Sequence, residues 1–235
     1  MKFAHIADCH VGGWREEELK ILGIKSLEKA VDICIKENVA FLLISGDLFN
    51  TSLPQIDIIK ETAEILNKLR EADIGVYIIP GSHDYSPSGK TMIDVLEKAG
   101  LVVNVMKFKD DKLQFTQDKT GVKITGLYGR RSSLEKLDYE SLDKEHLEKE
   151  KGFKIFMFHT TLEEFKPKGF EQVQGQSYTT MPKNFDYYAG GHVHYLFDIK
   201  KKDFGLIVYP GPLFPNSFKE IEELKHGNLC LVNDK

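Results

Sequence analysis

The sequence predicts an α/β protein with at least partly parallel sheets, and three observations carry that prediction. Short apolar runs alternate with stretches whose apolar residues recur at helical spacing. Several of the runs are almost continuously apolar, as strands covered on both faces are. The strongest of them end in an acid or a histidine, where a sheet edge would present it.

The first run, Lys2–Ala7 (KFAHIA), reads as a strand. A helix is expected from about Ile21 to Asn38, with Leu22, Leu27, Ala30, Val31 and Ile35 on one face. Val39–Gly46 (VAFLLISG) follows as a central strand. Pro54 suits a helix start, where a missing N–H costs least, and that helix runs to about Ala72. Gly75–Gly81 (GVYIIPG) is the third strand. Leu101–Val105, Leu113–Thr116 and Val122–Tyr128 are shorter strand candidates. The charged segment Leu134–Gly152 is most simply a solvated helix or helix pair. FKIFMFH and FDYYAGGHVH are two more strands ending in histidine, and the tail alternates strand-like runs with Gly/Pro turns, as in LIVYPGPLFP. No internal repeat or low-complexity tract interrupts the pattern.

Composition narrows the class. A chain of 235 residues with 41% hydrophobic and 29% charged content fits a soluble globular protein, and nothing in it reads as a linker between two domains. The formal net charge of −4 excludes a polycation, so nucleic acid would have to be met by local basic patches or bound metal. Cys9, Cys34 and Cys230 are odd in number and show no C-x-x-C spacing, which argues against a disulfide framework or zinc ribbon and for a reducing cytoplasm. Asp8 interrupts the N-terminal apolar run, unlike a signal peptide, and no run reaches the ~18 residues of a membrane span.

The strand ends carry the chemistry. HIADCH ends in Asp8 and His10, LLISGD in Asp47, YIIPGSHD in His83 and Asp84, IFMFH in His159, and GGHVH in His192 and His194. Each alone is a plausible turn residue or satisfied polar group. Carboxyl ends of parallel strands share one edge of the fold, however, so the set can converge on one site. Carboxylate and imidazole without thiolate suit manganese, iron, zinc or magnesium. The donors are too many for one tetrahedral zinc and suit two metals ~3.5–4 Å apart around a shared carboxylate, an arrangement used for phosphoryl chemistry.

The order Asp8-x-His10, Gly46-Asp47, Gly81-Ser82-His83-Asp84, His159, Gly191-His192-x-His194 resembles the calcineurin-like metallophosphoesterase superfamily, whose pattern is D-x-H, G-D, G-N-H-[DE], H and G-H-x-H. The strings FAHIADCHVGG and SGDLFNTSLP resemble more narrowly the nuclease subunit of the SbcCD and meiotic-recombination-eleven repair complexes. The resemblance implies a four-layer sandwich of two facing mixed β-sheets flanked by helices. It implies that Asp8, His10 and His194 hold one metal, that His159 and His192 hold the other, and that Asp47 bridges them. It also makes His83 the group beside the scissile phosphate, with Asp84 orienting its imidazole.

Ser82 stands where the pattern has Asn, a ligand to the second metal. A hydroxyl there is a shorter and weaker donor, so the second metal is expected to be held less tightly. The resemblance further implies manganese, with iron, zinc or magnesium as alternatives, and DNA ends or single strands as substrate. Its implied partners are an SMC-like coiled-coil ATPase and a second copy of the chain. Residues 1–235 are expected to form a single phosphoesterase domain without a recognisable C-terminal capping region. A phosphoesterase for small phosphodiesters or nucleotides, and a DNA-binding scaffold with an impaired second metal site, are the competing readings.

Cys9 alternates away from Asp8 and His10 and is read as a buried small hydrophobe, and His5 as lying under the site. Arg130 and Arg131 are candidates for backbone phosphate contacts or a solvated turn. Trp14 and Arg15 lie on a loop expected to border the site. The helix carrying Ile56, Ile59, Ala63, Leu66 and Leu69 has an apolar set wide enough for core and partner.

Overall fold

Two β-sheets pack face to face, and their strand order brings the histidine- and acid-bearing ends to one edge. The structure is a computed structural model that describes residues 1–86, 89–130, 135–168 and 172–233. In the first sheet, β1 (Lys2–Ile6), β2 (Phe41–Ser45), β3 (Gly75–Ile79) and β4 (Val103–Asn104) run parallel, and β13 (Cys230–Asn233) joins β1 antiparallel. The second has the order β11-β12-β10-β9-β8-β7. Its members are β7 (Thr116–Gln117), β8 (Lys123–Gly126), β9 (Lys154–His159), β10 (Tyr187–Gly191), β11 (Leu196–Lys201) and β12 (Gly205–Pro210). The inner four of these are parallel and the two edges antiparallel. Helices α1 (Glu17–Lys36), α2 (Ile56–Glu71) and α3 (Met92–Lys98) cover the first sheet; α4 (Glu135–Glu140) and α5 (Glu145–Lys149) cover the second. This is the four-layer sandwich expected.

The apolar runs are continuous because each strand serves two cores. In β2, Phe41 and Leu43 point between the sheets toward Ile155, Met157 and Tyr187, while Leu42 and Ile44 point out to Leu27, Val31, Leu66 and Leu69 of the helices. In β9, Ile155 and Met157 face inward, and Phe156 and Phe158 face Tyr139 and Leu147 of α4 and α5. Full burial of each such side chain is worth about 1.5–3 kcal/mol. A charge at any of these positions would break a layer contact.

Some expectations shift. Helix α1 begins at Glu17, and Leu22 and Ile35, assigned to its buried face, are 45% and 37% exposed. The buried stripe is Gly23, Leu27, Ala30, Val31 and Cys34; apolar residues at 21, 22 and 24 left the face ambiguous. The Leu113–Thr116 candidate divides into β6 (Lys112–Gln114), hairpinned to β5 (Lys107–Lys109), and β7, paired with β8. Asp110 and Asp111 make the hairpin turn at φ 50° and 58°. The charged segment is a helix pair but not fully solvated. Tyr139 and Leu147 are wholly buried, and Glu135, 2% exposed, accepts a hydrogen bond from Thr160 Oγ1 at 2.9 Å. Leu134 and Arg131 lie outside the described residues. Among those described, no helix is long and apolar enough to cross a membrane.

Candidate metal centre

Parallel register aligns the strand ends. Ile6 pairs with Ile44, Ser45 with Ile79, and Gly191 with His159, so the residues just beyond β1, β2, β3, β9 and β10 meet at one edge. There the backbone turns sharply. Asp8, Asp47, His10 and His192 have φ of 51°, 53°, 42° and 93°, a conformation costing of order 1–3 kcal/mol each and kept where the surroundings enforce it. Each turn swings a side chain back over the strand end. Two motif glycines make room for the result. A Cβ on Gly46, itself at φ +87°, would sit 2.2 Å from His159 Nδ1, and one on Gly81 would sit 2.1 Å from Asp47 Oδ1.

Three sets of ligand atoms lie within 4.8 Å of one another: Asp8, His10 and His194; Asp8, Asp47 and His159; and His10, Asp47 and His83. His192 belongs to none of the three, yet its ring lies 5.2 Å from that of His159, and its backbone N–H donates to both oxygens of Asp8 at 3.0 Å. Ser82 Oγ is 3.4 Å from Asp47 Oδ2, and the His83 N–H donates to Asp47 Oδ1 at 2.8 Å. All the residues singled out in the sequence therefore gather at one place.

Hydrogen bonds at the back of the rings set which nitrogen faces inward. His159 Nδ1 donates to Ser45 O at 2.8 Å, His194 Nδ1 to Glu220 Oε1 at 3.0 Å, and His83 Nδ1 to Asn50 O at 2.8 Å. Each partner can only accept, so Nδ1 carries the proton and Nε2 of the neutral ring presents a lone pair. His159 Nε2 then faces Asp47 Oδ2 at 3.2 Å, and His194 Nε2 faces His10 Nε2 at 3.2 Å. Acceptor opposes acceptor unless a proton or cation lies between. His10 Nδ1 and His159 Nε2 are moreover buried without a hydrogen-bond partner among the described residues. Carboxylates, imidazoles pinned from behind and the orphaned inward Nε2 of His159 fit divalent metal ions.

Without metal, protons take up the charge. Burial disfavours the anion of Asp47, but His159, His10 and His83 outweigh it and hold the carboxyl well below its usual range. Burial likewise opposes the His159 cation, yet Asp47 raises that ring to about 10. Burial pushes Asp8 up to about 6 and lowers His10 to about 3 and His192 to about 4. The site thus holds a strongly anionic Asp47 at its centre with imidazoles around it.

Asp84 does not orient His83. Its carboxylate accepts from the N–H groups of Phe49, Gly81 and Leu48 at 3.0, 3.0 and 3.2 Å, so it ties the turn after β2 to the turn after β3. Those turns are neighbours across the β2–β3 register, and the imidazole is held by the Asn50 carbonyl instead. Burial, with the charge of Asp47 adding to it, raises Asp84 to about 7. Asn50 and Glu220 escaped the sequence reading. Asn50 acts through its main chain, which leaves no side-chain signal. Glu220 lies in α6 (Phe218–Leu224), and its only cue is the capping pattern of Ser217 and Glu220.

Peripheral residues fall into place. Cys9 is buried among apolar side chains, and His5 lies between the sheets beneath the site. Trp14 donates to Pro215 O at 2.8 Å and packs on Phe218, steadying the helix that carries Glu220. Arg130 is committed to Asp138 at 3.2 Å and to the Tyr128 hydroxyl rather than to solvent.

The family model for calcineurin-like phosphoesterases matches residues 1–196. This chain belongs to that family. Among curated relatives, the DNA double-strand break repair protein Mre11 of Archaeoglobus fulgidus is 28% identical over 95% of this chain and 52% of its own length. That of Methanococcus maripaludis is 32% identical over 83% and 52%. The phosphoesterase described here thus spans about half the length of these relatives. A dimetal phosphatase from Danio rerio shares the fold, with a TM-score of 0.62 at 10% identity over 98% of this chain and 91% of that one.

Proposed function

We propose that this phosphoesterase is a two-metal phosphodiesterase, and that it is a manganese-dependent DNA nuclease of double-strand-break repair. The observation that carries the first part is the convergence of the inward Nε2 atoms of His159, His194 and His83 on Asp8 and Asp47. The kinship with Mre11 proteins supports the second.

In this reading Asp8, His10 and His194 would hold one ion, His159, His192 and Ser82 the other, and Asp47 would serve both. Bound divalent metal would supply Lewis acidity at a phosphate oxygen and an activated water for in-line displacement. The protein's own part is placement. Glu220, Ser45 O and Asn50 O fix ring orientation, and the Asp84 carboxylate locks the two turns that carry Asp47 and His83. His83, with Nδ1 committed to Asn50 O, would stabilise the phosphate or protonate the leaving oxygen as the doubly protonated ring, whose second proton sits on Nε2.

The reading includes a cytoplasmic location, an SMC-like coiled-coil ATPase partner and a homodimer. For the dimer, Leu53 in the loop before α2 and Ile56, the first residue of that helix, are 75% and 83% exposed; Leu66 and Leu69 of the helix are spent on the core. Manganese-dependent cutting of a labelled single strand, abolished by chelator, tests the nuclease. A protein that hydrolyses only a chromogenic phosphodiester and leaves DNA intact would instead be a small-molecule phosphodiesterase.

A further inference from the structure

Alongside the metal-facing residues, the same edge carries an aromatic pocket. Tyr85 follows His83 and Asp84 after β3, whose outer neighbour is β4; Tyr128 follows β8, the outer neighbour of β9. Beside this stacked pair lies a cavity of about 340 Å³ walled by Pro80, Tyr85, Asn104, Met106 and Tyr128, within the size range of small-molecule sites. The two rings are parallel within 6°, with centroids 5.8 Å apart. Arg130 donates to the Tyr128 hydroxyl and lies 5.0 Å from that ring, which fixes its orientation.

The pocket is coupled to the site on both sides. The Gly129 N–H donates to Pro80 O at 3.1 Å, and a Cβ on Gly129 would lie 2.4 Å from His159 Cδ2, so Tyr128 and Arg130 flank a residue in contact with a metal-facing ring. Tyr139, Tyr187, Tyr188 and Tyr209 are wholly buried structural rings, whereas Tyr85 and Tyr128 are only half-buried. Asp94, also in the wall, receives the Thr91 N–H at 2.7 Å, and its carboxylate would repel a phosphate. A neutral, flat group suits this cavity.

We propose that the Tyr85–Tyr128 pocket receives, by stacking, the nucleobase of a nucleotide whose phosphate lies at Asp8, Asp47 and His83. The inference rests on the phosphodiesterase reading and gives it a substrate class. Stacking of a base on an aromatic side chain is tolerant of sequence, as a strand-cutting enzyme needs.

The test compares kcat/KM of the manganese-loaded full chain on the thymidine 5′- and 3′-p-nitrophenyl phosphates with that on methyl p-nitrophenyl phosphate, which has no base. The wild type should prefer at least one thymidine ester. Tyr85→Ala should lower that preference ratio by about 5- to 150-fold, the scale of one base–aromatic stack, and Tyr85→Phe should keep it. A wild type with no preference for either thymidine ester would overturn the proposal. So would a Tyr85→Ala protein that loses activity on all three esters in proportion, because Tyr85 would then only support the His83 turn. A labelled single strand assayed alongside reports separately on the DNA reading, since base preference on the esters with intact DNA would reject the nuclease and keep the pocket.

Discussion

Replacing His5 by Gln removes a titration that the fold holds far from its ordinary range. His5 is wholly buried between the sheets, with Nδ1 2.9 Å from the Tyr187 hydroxyl and Nε2 2.9 Å from Ser45 Oγ. Ser45 Oγ donates its own proton to Ala189 O at 3.0 Å. His5 Nε2 must therefore donate to Ser45 Oγ, and Nδ1 must accept from Tyr187, so the neutral ring has both nitrogens satisfied and no place for a second proton. Burial accordingly lowers its pKa from 6.5 to about 3. Between these values the unfolded chain binds the proton and the folded chain does not. The stability contributed by neutral His5 is then complete above pH 6.5 and is lost as pH falls, by about 1.4 kcal/mol per unit.

From pH 7.5 to 4.5 that loss amounts to about 2.5–3 kcal/mol. Other groups titrate alike in both proteins and cancel in the difference. Urea unfolding of the wild type and His5→Gln in chelator, at half-unit pH steps, should show the wild-type advantage falling by this amount as the solution is acidified, so that it vanishes or reverses. The gap at pH 7.5 itself should be about 1–3 kcal/mol, the cost of leaving the Tyr187 hydroxyl poorly partnered. Parallel stability curves would refute the reasoning, because His5 would then titrate equally in the folded and unfolded chains.

Asp47→Ala should abolish phosphodiester hydrolysis and lower metal content at both positions, read by metal analysis after dialysis, since Asp47 is common to two of the three donor groups and also receives the His83 N–H. His83→Ala should leave metal bound and slow turnover by ~10²–10⁴-fold, the scale of a proton-transfer group; equal metal loss in both variants would contradict the division of roles. Ser82→Asn should strengthen the weaker manganese site by ~10–100-fold and merge two calorimetric binding steps into one. Two equally tight sites in the native serine form would show that Ser82 serves as an adequate ligand.

Much of the site was legible because metal chemistry restricts residue type. Only acids and histidines at strand ends could form it, and the i, i+2 pairs Asp8/His10 and His192/His194 stand out against any packing pattern. The sequence could not reveal how the rings are held. The Asn50 carbonyl is a backbone group that any residue would present, and Glu220 reaches His194 across 26 positions. Asp84 was misassigned for a related reason. Adjacency to His83 suggested a contact, but the turn points its carboxylate back at three amides. In the fold, β2 and β9 were plain because burial on both faces demands apolar residues at every position. Helix α3, seven residues held by a Thr91–Asp94 capping box, was too short for periodicity to register, and the burial of Glu135 in a charged stretch depends on Thr160 in a distant loop.

Metal stoichiometry measured together with hydrolysis decides whether the strand-end cluster is a two-metal phosphodiesterase centre. The chain, stripped with chelator and titrated with manganese under calorimetry while a chromogenic phosphodiester reports activity, should bind two ions, the second more weakly, with hydrolysis appearing only as the second is taken up. Hydrolysis that persists in chelator, or saturation at a single ion with full activity, would contradict the account.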